Sequence, residues 1–540
     1  MRKTTSRFAA AILAVATLAA SAVMAAAPAG AAEAATAFPT AEITVHGAQQ
    51  GDTFAAWRLL NSTDDGTNYS YTLRTQRDSS TSGIAITAND TAVTEALTSA
   101  TGKSTAQDVY DLLNGTTSDS LALEQQMKTI YQAIKANTAI TQDGTATANN
   151  ADTQHTGVYQ ATFTDMPQGY YLIAQTNDSS VAGSTVSLLI ANTANSTKDA
   201  AGNSGVDVNV KADAVQLLSA TDQHKAAAQY QDDVAVGTDF TWSATGTLPA
   251  NYALYDSYKY AFTVKIPAGV AADSTDENGC PAVNASAVND GKETPIVSSA
   301  FTTAKLEDGT CTYSFGDLKT AQASDAAGSL TIAAGTGIRL SMKARLTSDA
   351  TVGSAGNIIS SSVKYSSNPL DSAMTGTTAE STATLYTYKL TVNNTDNSGK
   401  PLANGAKYSL YSCGANGCNT QVGAETEASG DNASAVFSGL DSGAYELRET
   451  GVPAGYSGAD PVRFTVTSKF DNGTVTLSSD SKPVIISDAS MVINMKNTSS
   501  GGLLPSTGGI GVVIMYVCGA LLVGVSLAGI IVAVRRRNRD

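Results

Sequence analysis

Short runs of alternating apolar and polar residues predict a mainly β chain, built as β-sandwiches in tandem with helices inserted in the first of them. Three observations carry that expectation. The middle of the chain alternates through runs such as Phe240-Thr241-Trp242-Ser243 and Tyr260-Ala261-Phe262-Thr263-Val264, a pattern that buries one face of a strand and wets the other. One segment departs from it: Leu123, Met127, Ile130, Tyr131 and Ile134 recur at helical spacing behind the capping candidates Asp119 and Ser120. Charged residues make up only 15% of the chain, against roughly 25% in an average soluble domain. Thr, Ser, Asn, Ala and Gly take their place, which suits an extracellular β-rich stalk.

Taken in order, the chain of 540 residues divides into three regions between two terminal segments. Arg2, Lys3 and Arg7 precede an apolar, alanine-rich run from Phe8 to Ala27, and Ala29-Gly30-Ala31 supplies small residues for cleavage. Residues 1–31 therefore read as a secretory signal peptide. Residues 32–210 open on a strand-like Ile43-Thr44-Val45, pass through the helix, and return to strands at 159–163, 170–174 and 185–191. Residues 211–385 form the alternating middle sandwich. Residues 386–498 form a smaller, all-strand unit. A linker over 499–509 follows, then an apolar run over 510–534 and a basic tail over 535–540. A run of that length is long enough to span a hydrocarbon core as a helix, and Arg535, Arg536, Arg537 and Arg539 would hold its end in the cytoplasm.

An internal repeat links the first and third regions. Phe163, Gly169, Tyr171, Ile173 and Thr176 match Phe437, Gly443, Tyr445, Leu447 and Thr450 at one constant offset. Upstream, Gly51, Phe54 and Trp57 match Gly405, Tyr408 and Tyr411 at another. Both regions are expected to share one sandwich plan.

The formal net charge is -15. Removing the two ends discards Arg2, Lys3, Arg7 and the four tail arginines but only one acid, Asp540, so the processed product is more acidic still. Such a surface repels nucleic acid. Cys518 lies in the apolar run; the other four cysteines fall as Cys280 with Cys311 and Cys413 with Cys418. An even, locally paired count in an exported protein favours disulfides. His46, His155 and His224 lie far apart in sequence, so no metal set is visible and no cofactor is expected. No phosphate loop or nucleophile elbow appears. Gly102-Lys103-Ser104 resembles the end of a phosphate loop, but Leu97 stands where its first glycine belongs, so the segment reads as a loop approaching a helix. An enzyme is not expected.

Two motifs carry a family resemblance. Leu504-Pro505-Ser506-Thr507-Gly508, placed before the apolar run and the arginines, matches the LPxTG sorting signal of Gram-positive surface proteins. Tyr445-Glu446-Leu447-Arg448-Glu449-Thr450 with Pro453, Gly455 and Tyr456 resembles the E-box of sortase-assembled pilins, with Val452 in place of the usual alanine. The resemblance implies an immunoglobulin-like, Cna-B-type fold for residues 386–498 and a cell-wall-anchored fimbrial subunit. It implies that sortase cuts between Thr507 and Gly508 and passes the threonine to an amine. In shaft pilins that amine is a lysine of a YPK-type motif at the first domain junction. Here Val208-Asn209-Val210-Lys211-Ala212 makes Lys211 the positional match, without the tyrosine and proline.

The same resemblance implies an intramolecular Lys–Asn isopeptide bond assisted by Glu449, with Asn494 as the last-strand asparagine. The usual lysine position, two residues before Asp396, holds Asn394, which leaves Lys389 on the same strand as the candidate amine. Gln175 replaces the glutamate in the first region, so no bond is expected there. In the middle region Asn368 fits the asparagine, but Gln216 and Leu217 occupy the lysine's strand. The implied partners are sortase, further copies of the chain, accessory pilins, peptidoglycan and a host glycan or matrix receptor. The alternative is a monomeric wall-anchored adhesin or a pilus tip or base protein.

Overall fold

The structure is a computed structural model of the 540-residue chain. It describes residues 37–500, apart from residues 65–68, 80, 115–119, 178–181, 187, 196, 199–203, 211–212, 223–229, 324–329, 403–404 and 472–473. The chain is mainly β, with three α-helices among the described residues, all in the first region.

The first region packs two sheets. In one, the strand Thr40–Ala48 lies between Ser204–Asn209, which it pairs in parallel, and Tyr159–Pro167, which it pairs antiparallel. In the other, Thr53–Asp64 lies between Tyr69–Leu73 and Gly169–Gln175, which pairs onward to Leu189–Asn192. Gly169–Gln175 reads Gly-Tyr-Tyr-Leu-Ile-Ala-Gln and is buried along its whole length. The run lacks alternation because both of its faces are covered. Tyr171 and Ile173 enter the space between the sheets with Ile43, Val45, Phe54 and Phe163. Tyr170, Leu172 and Ala174 point the other way, into a core built with the helices.

Those helices are Ala88–Thr101, Ala106–Leu113 and Ser120–Ala136. The last is the helix expected from spacing: Met127, Ile130 and Ile134 are buried, and Leu123 and Tyr131 pack at the margin. Asp119, one of its two capping candidates, lies outside the described residues. The first helix starts in a capping box, with the Thr87 hydroxyl accepting from Asp90 N–H and the Asp90 carboxylate accepting from Thr87 N–H. It stops at Gly102, whose left-handed φ of 65° suits a residue without Cβ. Gly102-Lys103-Ser104 is thus the loop into the second helix, as its sequence indicated.

The middle sandwich follows from its alternation. Along Asp239–Thr247, Phe240, Trp242 and Ala244 point inward. The strand pairs Gln216–Thr221 on one side and Gly337–Leu346 on the other. The facing sheet holds Ser381–Tyr386, Asn357–Ser366, Tyr260–Lys265 and Cys311–Phe315 in that order. Trp242, Tyr258, Tyr260, Tyr313 and Tyr365 fill the space between them.

The third region repeats the first. Tyr388–Asp396 lies between Ser490–Ser499, parallel, and Ser434–Leu440, antiparallel. The second sheet orders Gly417–Glu427, Lys407–Gly414, Gly443–Gly451, Val462–Asp471 and Thr474–Ser479. The repeat is exact in register. Ala161 faces Val45 as Ala435 faces Val392, and Phe54 faces Gln175 as Tyr408 faces Glu449. Tyr171 donates to Pro167 O, and Tyr445 to Asp441 O at 3.0 Å. Each ring therefore ties its strand to the turn four residues back, an arrangement seen in tyrosine corners.

Hydrogen bonds join the regions. Val186 N donates to Ser367 O (2.8 Å), Gly183 N to Thr377 O (3.0 Å) and Tyr365 Oη to Ser184 O (2.6 Å) between the first and second. Val236 N donates to Gly439 O (2.9 Å) and Ser442 N to Asp233 Oδ2 (3.1 Å) between the second and third.

Candidate functional site

The polar cluster under the E-box is built by period-two alternation on three strands. Glu449 follows Tyr445 and Leu447 on the inner face of Gly443–Gly451. Asn394 follows Leu390 and Val392, both buried, on Tyr388–Asp396. On Ser490–Ser499, Met491, Ile493 and Met495 point inward, and the next inward residue is Asn497. Parallel pairing sets Asn394 beside Met495 and Asp396 beside Asn497, so both asparagines reach the same end of the core, each fully buried.

Their bonds are specific. Asn497 Nδ2 donates to both oxygens of half-buried Glu449 at 2.9 Å and to Ser457 O at 3.1 Å. Its Oδ1 is buried without a hydrogen-bond partner. Glu449 Oε2 also accepts from Ala459 N at 2.6 Å. Asn394 is turned toward Leu402 O (3.0 Å), and its Oδ1 accepts from Tyr408 Oη at 3.0 Å. Burial, with the nearby Glu449 charge, pushes the Tyr408 phenol far up, so it remains a neutral donor.

This geometry corrects the Lys389–Asn494 pairing. Asn494 lies on the outer face, where Asn393 Nδ2 donates to its Oδ1 at 3.0 Å. Lys389 is exposed and faces Ser438. It precedes Asn393, the register partner of Asn494, by four residues, or about 13 Å of extended strand. The asparagine beside Glu449 is Asn497, and Asn394 holds the facing position with an amide instead of an amine. The alternation from Met491 to Asn497 contained this signal; the apolar pair before Asn494 concealed it.

Isopeptide chemistry needs a lysine desolvated beside the acceptor. Among the described residues Lys128 is the buried lysine. It donates across regions to Leu254 O and to Asp256 (2.8 Å), away from any asparagine of the cluster. In the first region Gly47 and Gln175 stand at the positions of Asn394 and Glu449. In the middle region Asn368 is buried, accepting from Leu370 N (2.8 Å) and donating to Met374 Sδ (3.2 Å). Intact-mass measurement of the oxidised chain is therefore expected to show no loss of about 17 Da, the mass of ammonia, beyond the hydrogens lost to disulfides. One such loss would place an isopeptide bond where no lysine is seen.

Both cysteine pairs form disulfides, Cys280–Cys311 and Cys413–Cys418. The second closes the hairpin between Lys407–Gly414 and Gly417–Glu427. Two histidines that lie far apart in sequence meet in space: His46, Asp152 and His155 each place a donor atom within 4.8 Å of the others, against the expectation of no metal-type grouping. Lys211 and the motif Leu504, Pro505, Ser506, Thr507 and Gly508 lie outside the described residues, as do the signal peptide and the apolar run. Among the described residues no helix is long and apolar enough to cross a membrane.

Residues 388–482 match the family model of the SpaA prealbumin-like fold domain. The third region is similar to that domain. Most of the chain also aligns with solved pilins at low identity. The T6 backbone pilin of serotype M6 Streptococcus pyogenes is 14% identical over 86% of this chain and 99% of its own, with a TM-score of 0.48. The full-length major pilin SpaD of Corynebacterium diphtheriae is 16% identical over 85% and 98%, with a TM-score of 0.44. The C. diphtheriae major pilin SpaA is 15% identical over 85% and 100%, with a TM-score of 0.41. No curated protein matches the chain. The SpaA-like domain contains the whole E-box strand and Glu449, and ends before the strand that supplies Asn497.

Proposed function

We propose that the chain is the repeating subunit of a covalent surface fimbria, exported, cut by sortase between Thr507 and Gly508, and joined through the Thr507 carboxyl to Lys211 of the next copy. The subunit is structural rather than enzymatic. The order of parts along the chain carries the reading. The first domain's last strand ends at Asn209, Val210 N bonds His46 O at 2.9 Å, and Lys211 follows at once. The sorting motif follows the last strand of the third region, Ser490–Ser499, after a short Ser/Gly tether. Each copy thus carries an amine at one domain junction and an activatable carboxyl beyond its third domain, which allows a head-to-tail chain of any length. The disulfides and the hydrogen bonds between regions suit a subunit that bears tension.

The base of such a polymer ends on peptidoglycan, and accessory pilins are further partners. Adhesion to a host glycan or matrix protein would use the exposed Thr/Ser/Asn-rich loops. Asn209 and Val210 in place of tyrosine and proline leave the second reading, a wall-linked monomer or a tip or base protein. Immunoblots of boiled, detergent-treated wall extracts separate the two. A ladder of multimers that vanishes in Lys211→Ala is expected; a single wall-linked band in the unmodified strain contradicts the shaft reading.

A further inference from the structure

The turn after Asn150–Ala151 carries a feature that the fimbrial reading does not use. The Asp152 side chain is inaccessible; its Oδ1 accepts from Gln154 N (2.7 Å) and His155 N (3.0 Å) and lies 3.0 Å from His46 Nδ1. Its Oδ2 accepts from Gly47 N at 2.7 Å and lies 3.4 Å from His155 Nδ1. The site therefore presents a preoriented carboxylate flanked by two imidazoles.

His46 supplies the second observation. Its ring is buried, and Nε2 lies 3.2 Å from Asp207 Oδ1, off the line of a hydrogen bond and with no other partner. Both ring nitrogens thus face a carboxylate. A neutral imidazole has one N–H, so one nitrogen points its lone pair at an anion unless the ring takes a second proton or a metal cation sits between them. A metal ion at Nδ1, with the Nε2 proton turned to Asp207, satisfies both sides; ligating histidines are commonly held this way by an outer carboxylate. Donors bound at 2.0–2.1 Å in a tetrahedral site stand about 3.3 Å apart; His46 Nδ1 lies 3.0 Å from Asp152 Oδ1, His155 Nδ1 lies 3.4 Å from Asp152 Oδ2, and one donor atom from each of the three residues falls within 4.8 Å of the others. His155 is half exposed, which leaves a side open for water as a further ligand.

We infer that His46, Asp152 and His155 form a binding site for a divalent transition metal ion of the zinc class, with Asp207 orienting His46. Imidazole donors select such ions over calcium and magnesium. Binding would replace any proton shared by His46 and Asp152 and release it to solvent. The ion would staple Thr40–Ala48 to the turn at 152–155 and, through Asp207, to Ser204–Asn209, the strand that leads out of the first domain.

Calorimetric titration of the untagged, chelator-treated full chain with zinc chloride at pH 7.5 tests this. One ion per chain is expected, with no uptake of calcium or magnesium and weaker binding at pH 5.5, where imidazoles protonate. His155→Ala, on the surface, should weaken binding at least tenfold, and Asp207→Asn by about 10- to 100-fold. Circular dichroism spectra matching the unmodified chain would show that both variants fold. Absence of zinc uptake by the unmodified chain, or uptake unchanged in both variants, would overturn the site and leave His46–Asp152 as a proton-bridged clamp only.

Discussion

Asp90→Ala is expected to destabilise the first domain by about 3–5 kcal/mol, the usual loss when one partner of a buried ionic network is removed. Asp90 caps the helix Ala88–Thr101 and is nearly inaccessible. Its Oδ1 lies 2.8 Å from Arg74 Nε and 3.8 Å from Arg58 Nη2, and its Oδ2 lies 3.5 Å from Arg77 Nη2. Asp143, 2.9 Å from Arg74 Nη1, is the other anion. Without Asp90, three buried guanidinium groups share one carboxylate. Arg58 is the most exposed to this loss: burial and then the Arg74 charge already lower its basicity, and two of its nitrogens have no partner. Denaturation followed through Trp57, in a Trp242→Phe background, isolates the first domain, because these are the chain's two tryptophans and lie in separate cores. Thr87→Ala, which removes only the helix cap, should cost about 1 kcal/mol. Equal costs for the two would contradict the network.

The pH dependence has a fixed sign. Burial works against the Asp90 charge, but hydrogen bonds from Thr87 and Arg74 outweigh it and place its folded pKa below the ordinary value. Its stabilisation is then complete above the unfolded value of about 3.9 and is lost as pH falls through the folded pKa. The difference between Asp90→Ala and the unmodified chain should accordingly shrink below about pH 4. A difference that grows on acidification would mean the carboxyl is protonated when folded.

Removing Cys280–Cys311 is the second large effect. The bond spans 31 residues of sequence and Cys413–Cys418 spans 5. Loop-closure entropy assigns about 3.7 kcal/mol to the longer loop and about 2.1 kcal/mol to the shorter. The longer bond also joins the loop at Cys280 to the strand Cys311–Phe315, and both sulfurs lie in the middle core. The shorter links residues already opposite in a hairpin. Calorimetric scans of the double-alanine variants should lower the middle domain's transition more than the third domain's. The reverse order would mean that native-state packing, not chain entropy, sets the contribution of each bond.

Much of this architecture was legible in the sequence because each signal was local. Period-two runs gave the middle sandwich, and the spacing of Met127, Ile130 and Ile134 gave one helix. The matched Tyr171 and Tyr445 gave the shared plan of the outer domains, which the strand registers bear out. Ala88–Thr101 and Ala106–Leu113 were harder to see. The first mixes Ala92, Thr94 and Ala96 with Val93 and Leu97 on its buried face, and the second is short and buries only Ala106, Val109 and Leu113, so neither shows a strong apolar stripe. The site at Glu449 was half legible: the E-box located the acid, but choosing between Asn494 and Asn497 required knowing which face of the last strand is buried. His46 and Asp152 belong together through a strand pairing across more than 100 residues, which no local pattern encodes.

The bond between copies separates a polymerised shaft from a wall-linked monomer. Polymer purified from the wall, digested with trypsin and sequenced by tandem mass spectrometry, reports it directly. A branched peptide joining the Thr507 carboxyl to the Lys211 amine is the expected result, absent from the Lys211→Ala strain. Thr507 recovered only on peptidoglycan cross-bridge, or on a different lysine, would contradict the assignment of Lys211 as the acceptor.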